Sequence, residues 1–102
     1  MQEDPPAGER EPGYSGIHVL KGGIHRATPP YVDRVDPGSP AADAGLRPDD
    51  LILEVDDNPV PSWKSFLKTI EKYRAGETAR LTVKRGDEVL VLAVTLRKER
   101  AP

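Results

Sequence analysis

Serine, histidine and acidic side chains are all present in this chain, and their spacing decides what chemistry they can carry. Ser39 follows Gly38, but the Gly-x-Ser-x-Gly elbow that would expose a nucleophile between strand and helix is missing. His18 and Asp43 are residue types that a hydrolytic triad would need, but such residues are easily found by chance in a chain of this composition. Ser39 reads better as the N-cap of a helix that Pro40 starts at its first position. His18 and His25 are metal-ligand types, but no cysteine or spaced carboxylate cluster accompanies them. The pairs Asp49-Asp50 and Asp56-Asp57 lack the alternating ligands and closing Glu of a calcium loop, and read as turn residues. No catalytic residue, metal ligand or cofactor site is therefore expected, and the chain by itself reads as a non-enzyme.

Composition narrows the remaining classes. A length of 102 residues suits one domain. With 36% hydrophobic and 31% charged residues, the chain has enough to fold around a modest core. Fifteen basic and 17 acidic residues are well mixed, giving a net charge of −2 without the basic stripe of a nucleic-acid binder. The absence of cysteine excludes disulfides and thiolate chemistry and leaves the compartment open. No apolar run approaches the ~20 residues of a membrane span, and no secretory h-region is visible. An isolated domain of this kind is expected to be monomeric.

Elements that could position a site follow from punctuation and periodicity. Residues 1–12, rich in Pro and Glu, read as a flexible leader, 13–97 as the folded domain, and 98–102 as a charged tail. Ile17 to Leu20 reads as a strand with Ile17 and Val19 on one face and His18 and Leu20 on the other. Residues 21–30 form an irregular, mildly basic connection, whose Lys21, His25 and Arg26 read as solvated. In the strand Tyr31 to Val35, the three-residue spacing of Val32 and Val35 predicts a bulge. Pro37 to Leu53 packs a turn, a short capped helix ending at Gly45, a second turn and a strand into 17 residues. That strand, Leu51 to Asp56, is expected to bury Leu51, Leu53 and Val55, with Asp57-Asn58 as the turn after it. Pro59-Val60-Pro61 can only be an edge strand or turn. Ser62 caps a helix expected from Trp63 to about Arg74, with Trp63, Phe66, Leu67, Ile70 and Tyr73 at helical spacing and Gly76 closing it. Thr78 to Arg85 and Val89 to Leu96 form a hairpin around Gly86-Asp87. The second of these strands, apolar on both faces, is expected in the sheet centre.

The run Ser39-Pro40-Ala41-Ala42-Asp43-Ala44-Gly45-Leu46-Arg47-Pro48-Asp49-Asp50-Leu51-Ile52-Leu53-Glu54-Val55-Asp56 resembles the hallmark of bacterial-type PDZ domains. Residues 76–86 are similar to the closing hairpin of that family. The resemblance spans about Tyr14 to Leu96 and is closest to the PDZ modules of high-temperature-requirement (Do-like) serine proteases. It implies an α+β fold: a PDZ-like, five- to six-stranded, partly open antiparallel β-barrel or sandwich capped by one long and one short helix. Where the family usually has glycine, this chain has Asp49 and Asp57, both at turn positions that favour left-handed backbone.

The same resemblance implies a peptide-binding site. The family's carboxylate-binding loop corresponds to Tyr14-Ser15-Gly16-Ile17, where the main chain curls into a nest of N–H donors. Ile17, His18, Val19 and Leu20 would form the strand edge that a peptide extends. Leu67 and Ile70, with Trp63 near the far end, would form the opposite wall, and Phe66 and Tyr73 would turn to the core. The implied partners are C-terminal or extended segments with an apolar last residue, and His18 would touch the third-from-last one. The implied setting is the periplasm or cell envelope, within a serine protease whose substrates the module delivers or whose activity it gates. The alternatives are a structural or assembly module of a secretion or scaffold protein, and the PDZ of a site-2 or tail-processing protease.

Overall fold

In the computed structural model, residues 13–21 and 29–98 are described. Their elements are β1 (Gly13–Tyr14), β2 (Ile17–Val19), β3 (Val32–Val35), α1 (Pro40–Ala44), β4 (Leu51–Val55), β5 (Asn58–Pro59), α2 (Trp63–Ile70), β6 (Thr78–Arg85), β7 (Glu88–Thr95) and β8 (Arg97–Lys98). The leader and the stretch 22–28, with His25 and Arg26, lie outside the described residues.

Ser39 has extended backbone and its Oγ accepts the N–H of Ala42 at 3.2 Å, so α1 begins at the expected cap. Gly45, at φ 98°, ends it in the left-handed conformation that a side chain would resist. The chain then turns through Asp49, also left-handed at φ 77°. Asp50 is 1% exposed, yet fully bonded: Arg85 donates to both its oxygens at 2.9 and 2.8 Å, and the Arg47 N–H adds a third bond. The same guanidinium donates to the Gly45 carbonyl at 2.8 Å, tying the end of α1 to the β6–β7 hairpin.

Four strands form one antiparallel sheet in the order β5-β4-β6-β7, while β2 pairs with β3 and β1 with β8. A single bridge, Tyr31 to Leu51, joins β3 to β4, reinforced by bonds from the Val32 and Ile52 N–H groups to the Asp50 and Pro30 carbonyls. The result is mainly β-sheet with two helices and no closed barrel. Val32, Ile52, Val55, Phe66, Leu81, Val83, Val94 and Leu96 fill the centre, each at most 1% exposed.

Four expectations about the elements need correction. On β4 the buried residues are Ile52 and Val55, while Leu51 and Leu53 are half-buried. The register with β6 shifts between Ile52 and Glu54, so the extra residue Leu53 resets the alternation. The turn after β4 is Asp56-Asp57, left-handed at φ 50° and 69°, which pairs Val55 with Asn58 one residue earlier than expected. Helix α2 stops at Ile70, short of Arg74: Glu71 caps it, and two tight turns carry the chain through Tyr73. Strand β7 is at the sheet edge and not its centre, with Val89 and Val91 60% and 62% exposed. The bulge expected between Val32 and Val35 is present, opposite the step from His18 to Val19.

Candidate functional site

Gly16 is left-handed at φ 84° and buried against the N-cap of α1. A Cβ built there would lie 2.2 Å from Ser39 Cβ and 2.4 Å from its Oγ, so only glycine lets the loop sit against the helix. Two backbone bonds clamp the loop in place, from the Ala41 N–H to the Ser15 carbonyl and from the Asp36 N–H to the Gly16 carbonyl. Ser39, which caps α1, thus also supports the loop, a role its place in the sequence does not reveal.

With its carbonyls turned to α1 and β3, the loop keeps its N–H groups for other use. Among the described residues, the N–H groups of Ser15 and Gly16 find no backbone or side-chain acceptor. The Ile17 N–H bonds only the nearby Ser15 Oγ, at 3.2 Å. Three consecutive main-chain donors with no strong acceptor are the kind of groups that an anion satisfies.

Tyr14 and His18 converge on one carboxylate behind the loop. The Tyr14 hydroxyl donates to Asp36 Oδ2 at 2.6 Å, and His18 Nε2 lies 2.8 Å from Oδ1. These two hydrogen bonds, Tyr14 first, outweigh burial and hold the Asp36 carboxyl below the usual carboxylate value. Arg97 stacks over the Tyr14 ring at 5.6 Å and donates to the Gly38 carbonyl. Arg34, paired with His18 across β2 and β3, brings its guanidinium within 3.4 Å of the imidazole.

The other expected residues divide. Ile17 is half-buried and Val19 buried, both on the core side of β2, whose other edge has no strand beside it among the described residues. Leu20 falls outside β2 and is 55% exposed, although its N–H still bonds the Tyr31 carbonyl. On α2, Trp63, Leu67 and Ile70 are half-buried against the core, Phe66 is fully buried, and Lys64 lies over the Trp63 ring. Tyr73 is only half-buried, and its hydroxyl donates to Asp56, which also accepts the Arg80 N–H.

Elsewhere, a cleft of about 580 Å³ lies beyond the end of α2, lined by Asn58, Thr69, Lys72, Tyr73, Glu77 and Thr78. It holds none of the loop's donors and no apolar anchor, so it lacks the features of a peptide pocket. Among the described residues no three His, Asp or Glu side chains are grouped to hold a metal ion, and no helix is long and apolar enough to cross a membrane.

Comparison with known proteins identifies the family and agrees with the fold. A family model described as a PDZ domain matches residues 13–96. Serine endoprotease DegS of Escherichia coli (strain K12) is 34% identical over 94 residues, which covers 84% of this chain and 26% of DegS. The chain thus spans about a quarter of the length of that relative. Among solved structures, HtrA-type protease AlgW with a decapeptide superposes with a TM-score of 0.75 at 22% identity, covering 89% of this chain and 30% of AlgW. The HtrA3 PDZ domain bound to the phage-derived ligand FGRWV gives 0.70 at 20% identity, covering 83% of this chain and 85% of that one.

Proposed function

We propose, because the chain belongs to the PDZ domain family, that it captures the C-terminal or extended segments of other proteins by adding them as a strand to β2. The observation that carries this reading is the loop itself. The Ser15 and Gly16 N–H groups have no acceptor among the described residues, and the Ile17 N–H is held only by a local serine oxygen. A terminal carboxylate supplies the missing acceptor, and the open edge of β2 continues the pairing along the peptide.

Ile17, Val19, Leu67 and Ile70 offer an apolar lining for the last side chain, with Trp63 near the far end of the groove, so Val, Leu, Ile or Phe is favoured at the last position. The phage-derived ligand of the HtrA3 PDZ domain ends in valine, which supports the same preference. Short peptides of this kind bind at roughly micromolar strength, since ordering a flexible chain offsets much of the contact energy. By its relation to DegS, the module recognises substrates or gates activity for an envelope serine protease.

Titration with matched peptides, free acid against C-terminal amide, tests the reading. The free acid with an apolar last residue is expected to bind and to shift the amide resonances of residues 15–19, whereas the amide binds weakly. Negligible or equal binding by both forms rejects it.

A further inference from the structure

Strand β7 carries an apolar surface that neither the core nor the loop uses. Val89 and Val91 are 60% and 62% exposed, and Ala93 follows them on the same face. The two-residue loop Gly86-Asp87 makes Arg85 and Glu88 a hydrogen-bonded pair. Residues 88, 90, 92 and 94 therefore bond to β6, and the main-chain groups of Val89, Val91 and Ala93 point toward the open edge of the sheet. These three find no backbone acceptor or donor outside the β6 ladder among the described residues.

Edge strands are normally guarded by lysine, proline, a bulge or a covering element. β7 has no lysine or proline, and its register runs unbroken from the Glu88–Arg85 pair to the Thr95–Thr78 pair. Helix α1 packs against β7, and a cleft of about 230 Å³ lies between its Pro40, Asp43 and Ala44 and the strand's far end at Ala93, Thr95 and Arg97, which leaves Val89 and Val91 as the uncovered part of the edge.

We infer that β7 is a homodimerisation edge: two copies of this chain pair antiparallel through β7, joining their four-stranded sheets into one of eight strands. The surface suits itself, because a two-fold axis near Val91 sets small apolar side chains of one copy beside those of the other. Charge agrees with the antiparallel sense. Asp87 and Glu88 lie at one end of the edge, exposed and in no ion pair among the described residues, and Arg97 lies exposed at the other, its guanidinium bonded to the Gly38 carbonyl but with no carboxylate partner among them. Pairing brings the acidic end of each copy to the basic end of its partner. Stacking the two sheets face to face is disfavoured, since Arg80 and Lys84 share the outer face with Ala93 and Val89 and would meet their own copies. The dimer departs from the monomer expected from the sequence.

Sedimentation equilibrium of this chain from about 10 μM to about 1 mM measures the association. A concentration-dependent dimer is expected. Hydrogen exchange at the Val89 and Val91 amides is expected to slow at least about tenfold at the upper concentration relative to the lower. The Val91→Lys variant is expected to sediment as a monomer throughout. A wild-type chain that stays monomeric overturns the inference. So does a dimer that survives Val91→Lys, or one that leaves the Val89 and Val91 amides exchanging as in the monomer.

Discussion

Gly16 shows how much one residue without a side chain can decide. Its left-handed backbone and its contact with Ser39 both exclude a Cβ, and Ser39 cannot withdraw without uncapping α1. Gly16→Ala is expected to lower stability by about 2–4 kcal/mol, measured by denaturant unfolding. Asp57 is the opposite case: a left-handed residue at φ 69° on an exposed turn, where the family usually has glycine. Asp57→Gly is expected to raise stability by up to about 1 kcal/mol, the relieved strain exceeding the added freedom of the unfolded chain. Asp49 gains less from the same change, because it accepts a hydrogen bond from the Tyr31 hydroxyl. Ser15 offers a functional counterpart. Its Oγ competes with an incoming carboxylate for the Ile17 N–H, so Ser15→Ala is expected to tighten peptide binding by about two- to tenfold, measured by calorimetry. The caps at Ser39 and Gly45 were legible in the sequence because capping depends on neighbours in the chain. The pressing of Gly16 onto Ser39 was not, because 23 residues separate them.

At the scale of elements, periodicity served well where strands and helices are regular and failed where one residue breaks the count. The inner residues Leu81 and Val83 of β6 were legible from alternation, and both are fully buried. On β4 the bulge at Leu53 moves burial to Ile52, and no local signal announces it. β7 misled through composition: apolar residues on both faces suggested a central strand, yet one of those faces is exposed on an edge. The helical spacing of Trp63 to Tyr73 also continued past the end of α2, because Tyr73 is held by turns and by Asp56. Burial first, then the bond to Asp56, pushes the Tyr73 hydroxyl up to about 12 from 10.0. The folded chain therefore holds that proton more tightly than the unfolded chain. The associated stability is complete below pH 10.0 and is lost as pH rises toward about 12. Tyr73→Phe is expected to flatten this alkaline loss in thermal melts, at a cost of about 1 kcal/mol near neutrality.

Across the whole molecule, Asp50 and Arg85 join the family motif to the hairpin 35 residues later. The Asp50 side chain is 1% and the Arg85 side chain 27% exposed. Arg85→Met leaves a buried carboxylate without its fork and is expected to destabilise by about 2–3 kcal/mol, less than for a fully buried pair because Arg85 is partly wet. Burial works to raise the Asp50 carboxyl, but Arg85 and the Arg47 N–H together hold it below 3.8. Asp36 and Asp56 are also lowered, each chiefly by a tyrosine hydroxyl. The unfolded chain takes up these protons first, so their contribution is present above pH 3.8 and is lost as pH falls below it. Melting temperature is expected to drop steeply on acidification below that point, and Asp50→Asn to show a shallower drop. The fold as a whole was legible because the motif from Ser39 to Asp56 combines cap, turn and strand signals in a fixed order. The loop's place in it came from family resemblance, because the donors belong to the main chain and leave little trace in residue types.

The two-residue pairing of β1 with β8 gives the module a mechanical character. Gly13 lies opposite Lys98 and Tyr14 opposite Arg97, so the first and last described strands run side by side in opposite directions. A pull that separates the two ends acts on this short ladder as on a zipper, opening Gly13 from Lys98 and then Tyr14 from Arg97. That second pair includes the ring beneath the Arg97 guanidinium and adjoins the donors of Ser15 and Gly16. Tension arriving at either end of this ladder thus reaches the loop of Ser15 and Gly16 before it reaches the core.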